Sequence, residues 1–222
     1  EPGVFKQMCC EQLAADNLGL PWRSRLFAPA PADLSSPVIV RPRFYGSVED
    51  KPVLTDTLHR ISRRVEYRNW ILAEQENFDT LLVRYSTANP LQLTLAKKLS
   101  RPVLSVHHSL EVEQLQISNH PLKRVLMPVE KIFGKKFLTA VQGMVAVTDE
   151  IARYETTRSE VFDKPVFLYP NGILVPDDQE VADRRGKFPE VLFVSSKFNS
   201  WQGLDRLLDC VEQAKDNCVF HL

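Results

Sequence analysis

The residues able to do chemistry fall at four places in the chain. His107-His108 is followed by Ser109, Glu111 and Glu113. An imidazole can hydrogen-bond a hydroxyl or exchange a proton near neutral pH, and a nearby carboxylate tunes it. The same spacing also fits one histidine capping the next helix while the other is solvated. Arg84-Tyr85-Ser86 places polar groups directly after an apolar run. Ser195-Ser196-Lys197-Phe198-Asn199-Ser200-Trp201-Gln202-Gly203 combines small, amide and lysine side chains ahead of helical periodicity. At a helix N-terminus this composition suits an anion such as a diphosphate. An N-capped helix with an exposed lysine would read the same way. Gly3 precedes the first helical pattern, where a backbone could approach a phosphate. Metal chemistry has no local support: there is no CxxC, HxxxH or HExxH. Cys9 and Cys10 are adjacent, and Cys210 and Cys218 flank a helical pattern, which suits reduced buried thiols better than a disulfide framework.

These groups need elements to hold them, and the apolar pattern supplies alternating helices and strands. Val4, Phe5, Met8, Cys9 and Leu13 have helical spacing, with Gly19 as a stop. Short apolar runs cover 25–28 and 37–44. A long amphipathic helix is expected over 54–76, with Thr55 as its N-cap. Buried strands are expected at 80–83, 102–106, 143–147 and 165–168, with a helix over 90–100. Short continuous apolar strands alternating with helices predict a parallel sheet covered on both faces, an α/β fold. Residues 174–190 read as a polar linker, and 191–194, 204–215 and 218–220 open a second βαβ unit.

The segment from His120 to Leu138 has Leu122, Val125, Leu126, Val129, Ile132, Phe133 and Phe137 at helical spacing, interrupted by Pro128 and Gly134. Lys123, Arg124, Lys131, Lys135 and Lys136 decorate it against a single acid, Glu130. Such a helix can lie on anionic lipid or pack on a core with a solvated basic face. The 222 residues balance 28 Lys+Arg with 28 Asp+Glu. That removes the basic excess a nucleic-acid partner would require. The 44% hydrophobic fraction rules out disorder, and no run approaches the ~20 apolar residues of a membrane span. A cytoplasmic protein, peripheral at most to the inner face of a membrane, is the expectation.

Taken in order, these segments resemble retaining glycosyltransferases of the GT-B type, family 4. The resemblance is carried by Phe78-Asp79-Thr80-Leu81-Leu82-Val83-Arg84-Tyr85-Ser86, Pro102-Val103-Leu104-Ser105-Val106-His107-His108 and Val145-Ala146-Val147-Thr148-Asp149-Glu150-Ile151. Pro165-Val166-Phe167-Leu168-Tyr169-Pro170-Asn171-Gly172-Ile173 and Val191-Leu192-Phe193-Val194 through Trp201-Gln202-Gly203-Leu204-Asp205-Arg206-Leu207-Leu208 extend it across nearly the whole chain. It implies an N-terminal Rossmann-like domain over 1–173 lacking its first strand, a linker over 174–190, and the first β-α-β of a second Rossmann-like domain over 191–222.

The implied activity is transfer of a sugar from a nucleotide-sugar donor to the hydroxyl of a glycan or lipid-linked acceptor, with retention and no metal or other cofactor. It would serve cell-surface polysaccharide or glycolipid assembly. The resemblance places His107 near the reacting sugar. It puts Gly3, Ser196, Lys197, Gln202, Gly203, Asn171 and Gly172 around the donor, and Arg84, Tyr85, Ser86, His108 and Glu111 at the acceptor side or cleft. Gln202 stands where the family has a lysine, which leaves Lys197 as the charge for the diphosphate. The family's first strand would precede Gly3 and its Glu-x₇-Glu donor segment would follow Leu222, so an internal fragment, inactive alone, is expected. A catalytically silent nucleotide- or partner-binding module and a GT-B sugar epimerase are the competing readings.

Overall fold

A computed structural model of the chain describes residues 2–27, 36, 38–40, 53–117, 122–172, 190–192, 204–214 and 219–221. The chain divides into two compact units, Glu1–Leu174 and Val175–Leu222. The first opens with helix α1 (Pro2–Asn17) and the short strands β1 (Leu26–Phe27) and β2 (Ile39–Val40), which pair in parallel. Helix α2 (Val53–Ala73) and a 3₁₀ turn (Gln75–Asn77) lead into β3 (Leu81–Arg84). Then follow α3 (Pro90–Lys98), β4 (Val103–His107), α4 (Glu111–Ile117), α5 (Lys123–Ala140), β5 (Gly143–Ala146), α6 (Asp149–Ser159) and β6 (Val166–Leu168). The second unit contains β7 (Glu190–Leu192), α7 (Leu204–Ala214) and β8 (Val219–His221), with β7 and β8 parallel.

The main sheet runs β3-β4-β5-β6, all parallel. This is the α/β class that the buried strands predicted, compatible with a Rossmann-like fold. In a parallel sheet each connecting helix runs back against the strands, so every strand ends at the same edge. Register puts Val83, Ser105 and Met144 side by side on one face, and side chains alternate between faces along a strand. Val83, Tyr85, Val103 and Met144 cluster there with Phe137, Leu138 and Val141 from α5 and its C-cap, and with Leu93 and Ala96 of α3.

Local chemistry accounts for the helix ends. Asn89 caps α3, its side chain accepting from the Leu91 N–H, with Pro90 at the first position and Lys97 and Lys98 in the last turn. Thr148 caps α6 by accepting from the Ile151 N–H, and Glu160 ends it in the left-handed region at φ 57°. Lys164 closes the carbonyl end of α5 by donating to Leu138 O, Thr139 O and Val141 O.

Several expectations are corrected. α2 begins at Val53, so Thr55 lies in its first turn and is not its cap. Gly3 lies inside the first turn of α1, not ahead of it. Pro128 and Gly134 do not interrupt α5, which is continuous from Lys123 to Ala140. Pro128 is exposed on the solvent side, where a missing N–H bond bends a helix without stopping it. Finally, β6 is not buried: Val166, Phe167 and Leu168 are all exposed, as befits the edge of the sheet. Of the linker expected over 174–190, residues 174–189 lie outside the described residues and Glu190 belongs to β7 instead.

Among the described residues Phe137 is the largest fully buried side chain, and it packs tilted against Tyr85, with ring centroids 5.6 Å apart. Phe137→Ala should cost about 3–5 kcal/mol of unfolding free energy, measured by chemical denaturation.

Candidate functional site

The carboxyl edge of the main sheet is where ligands sit in open α/β sheets, and the polar groups read from the sequence gather along it. Backbone bonds carry the ladder to its end: Tyr85 N–H to Val106 O, Val147 N–H to His107 O, and Tyr169 N–H to Ala146 O, each 2.9–3.2 Å. Arg84 is exposed there, while Ser86 and His108 are half-buried and Asn171 and Gly172 are exposed two residues or more beyond β6. Asn171 Oδ1 accepts from Gln7 Nε2 at 3.4 Å, which brings α1 to the same edge. Gly3 sits one helical turn before Gln7.

The β3–α3 loop is held from three sides. Gln92 grips it in both directions, its Oε1 accepting from Ser86 N–H at 2.9 Å and its Nε2 donating to Arg84 O at 2.8 Å. Arg64 of α2 donates to Ala88 O at 3.3 Å and Ser86 Oγ at 3.4 Å. Ala88 has φ 51°, a conformation costly to a residue with a Cβ. Its N–H donates to Glu130 Oε2 at 2.6 Å.

Behind this edge lies a sealed ionic network. Glu130, which the sequence shows as the one acid on a basic helix, is fully buried at 0% exposure. Its Oε1 accepts from Tyr85 Oη–H at 2.6 Å and from Arg158 Nη1 at 2.7 Å. Arg158 also grips Glu155 through Nε at 3.1 Å and through Nη2. His107, also at 0% exposure, stacks on Tyr85 at 4.8 Å between centroids and shares a hydrogen bond with Ser105 Oγ at 3.0 Å through Nε2. Its Nδ1 faces Glu111 Oε2 at 3.5 Å and Glu155 Oε2 at 3.8 Å. Those distances are too long for hydrogen bonds, and His107 Nδ1, Glu111 Oε2 and Glu155 Oε1 have no hydrogen-bond partner.

Burial sets the protonation states. It depresses the His107 imidazole to about 4, against the pull of Glu155. It raises the Glu155 carboxyl to about 7, against His107 and Arg158, and raises Glu111 as well. His108 is lowered to about 4 by burial and then by Arg84. The ligating atoms of His107, Glu111 and Glu155 lie within 4.8 Å of one another, so these are the residues that could hold a divalent cation. Arg158 already supplies positive charge to Glu155.

The structure therefore separates residues that the sequence grouped. His107, Tyr85 and Glu111 are buried in the network and form its inner wall. His107 has no exposed atom, whereas the resemblance places it near the reacting sugar. Arg84, Ser86, His108, Asn171 and Gly172 are the groups that face outward. Ser196, Lys197, Gln202 and Gly203 lie outside the described residues. Sequence reasoning missed Glu130, Gln92, Glu155 and Arg158. The available signals were the lone acid on α5 and the i, i+3 spacing of Glu155 and Arg158 in α6. No protein-family model matches the chain, and no curated protein matches it.

Gly134 makes room for this network. A Cβ there would meet Glu130 Oε1, Tyr85 Oη at 2.6 Å and Arg158 Nη1 at 2.8 Å. Gly134→Ala should gain about 1 kcal/mol of helix propensity yet destabilise by roughly 3 kcal/mol net by parting a buried charge network, read from the denaturation midpoint.

Protonation gives a second test. Between pH 4 and 6.5 the depressed His107 binds fewer protons folded than unfolded, so its contribution to stability is lost as pH falls. Between about 4.5 and 7 the raised Glu155 binds more protons folded, so its contribution falls as pH rises. In the shared window the two cancel, because folding moves one proton from His107 to Glu155. Relative to wild type, Glu155→Gln should gain stability with rising pH over 4.5–7, and His107→Gln should lose it over 4–6.5. Each slope approaches about 1.4 kcal/mol per pH unit, measured by denaturation across pH.

Proposed function

We propose that the chain is part of a retaining GT-B glycosyltransferase, with the first unit as the acceptor-side Rossmann-like domain and the second as the start of the donor-binding domain. The observation that carries this reading is the gathering of Arg84, Ser86, His108, Asn171 and the α1 N-terminal region along the carboxyl edge of one parallel sheet. In support, the segments 78–86, 102–108, 145–151 and 165–172 supply or directly follow strands β3, β4, β5 and β6 of that sheet.

In this reading a nucleotide-sugar donor lies against the edge and an acceptor hydroxyl approaches from the β3 and β4 ends. His108 is largely neutral at pH 7, so its imidazole accepts a hydrogen bond from the acceptor hydroxyl or from a sugar hydroxyl. Arg84, exposed beside it, binds anionic or polar groups of the acceptor. The departing diphosphate requires positive charge and helix N-termini, for which Lys197 and Gly203 are the candidates. Gln202 in place of a lysine lowers that charge. His107, Glu111, Glu130, Glu155 and Arg158 act as positioning residues that keep the strand ends and the β3–α3 loop fixed. No metal has a required part in the transfer.

The test is incubation of the full protein with UDP-, GDP- and ADP-hexoses and a glycan or lipid-linked acceptor. Nucleoside diphosphate release and the anomeric configuration of the product are followed. Retention is expected, and Arg84→Ala and His108→Ala should each lower turnover by about tenfold or more with donor affinity nearly unchanged. Donor binding without transfer would favour the silent module, and conversion of the donor to its epimer would favour the epimerase. Failure to bind any sugar nucleotide would overturn the nucleotide-sugar reading.

A further inference from the structure

The sequence left α5 with two readings, and the burial of its apolar residues separates them. A core-packed helix with a solvated basic face would bury its apolar side chains. Phe137 and Leu138 do pack into the core, but Val125 is 63% exposed and Ile132 is 52% exposed. Both share the solvent side with Arg124, Pro128, Lys131 and Lys136, all exposed. At 100° per residue these six positions fall within an arc of about 140°, opposite the buried Glu130, Gly134 and Phe137. From Arg124 to Lys136 the stripe is about 18 Å long.

Its charge is of one sign. Glu130, the only acid in α5, points into the core. Lys135 is satisfied by Glu160 at 2.7 Å, whereas no acidic side chain pairs with Arg124, Lys131 or Lys136 among the described residues. Apolar side chains interleaved with uncompensated cations along a helix fit a surface that is apolar within and anionic at its boundary. No described helix is long and apolar enough to cross a membrane, so the contact is one of lying on the surface.

We infer that this face of α5 docks on an anionic lipid bilayer, with Val125 and Ile132 entering the headgroup boundary and Arg124, Lys131 and Lys136 pairing with lipid phosphates. α5 runs antiparallel to the strands, since Gln142, just past its end, bonds to Val103 at the start of β4. Its first turns, with Arg124 and Val125, therefore lie toward the carboxyl edge. Docking along the stripe lays α5 flat on the bilayer with the carboxyl edge beside it, within reach of a lipid-linked acceptor. This last consequence rests on the transferase reading, whereas the docking itself does not.

The experiment is sedimentation of the full protein with vesicles of phosphatidylcholine alone and of phosphatidylcholine with phosphatidylglycerol in equal parts. Binding is expected on the anionic vesicles only, and should be lost on raising salt from about 0.1 M to about 0.5 M. The double variant Arg124→Glu/Lys131→Glu should bind about tenfold or more weakly. Val125→Ser/Ile132→Ser, which removes apolar surface without adding charge, should weaken binding comparably at unchanged salt dependence. All four positions are exposed, and an unchanged melting temperature checks that each variant is folded. Absence of binding to the anionic vesicles, equal binding to neutral ones, or full binding by the folded charge-reversed variant would each overturn the inference. None of these outcomes depends on sugar transfer.

Discussion

The carboxylate of Glu130 is the interaction on which the first unit depends. A buried charge is tolerated only when its lone pairs are matched by well-placed donors. Glu130 meets that condition with three donors from three elements: the Tyr85 hydroxyl at the end of β3, the Ala88 N–H in the following loop, and the Arg158 guanidinium of α6. One side chain thus ties α5 to the strand end, to a strained loop and to the next helix. Gly134, one turn along, leaves the space in which those donors converge.

The network explains why the carboxyl edge can be both polar and rigid. Loops at strand ends are ordinarily mobile because their backbone groups are satisfied by water. Here the β3–α3 loop is held by Gln92, Arg64 and Glu130 together. The positive φ of Ala88 is maintained by its buried hydrogen bond. Rigidity of this kind is what a site needs if outward-facing groups such as Arg84 and His108 are to meet a ligand without further ordering. In the inner layer, burial lowers the His107 imidazole to about 4, raises the Glu155 carboxyl to about 7 and raises that of Glu111. It does so because it excludes water.

Some of this was legible along the chain. The strands at 81–84, 103–107 and 143–146 fall on the short apolar runs read from the sequence. β6 has the same apolar run as its neighbours but lies exposed, because a run of Val, Phe and Leu does not encode whether another layer covers it. His107 and His108 are chemically identical in sequence, and the two-residue alternation of the strand turns one inward and leaves the other at the edge. Glu130 and Gly134 read as a surface acid and a helix breaker, and they are the centre of the network.

The sequence by itself determined the α/β class, the parallel strand pattern, the order of the elements and the basic amphipathic character of α5. Those properties follow from short-range periodicity and composition, which act within one or two turns of chain. Only the tertiary structure decided which polar residues are sealed and which face outward. It also decided that Val125 and Ile132 lie with the cations, and that residues 45 positions apart, Tyr85 and Glu130, share a proton-mediated contact. The physical reason is that burial and charge pairing arise from contacts between elements distant in sequence. The free energy of a charged group changes sign with whether those contacts exist.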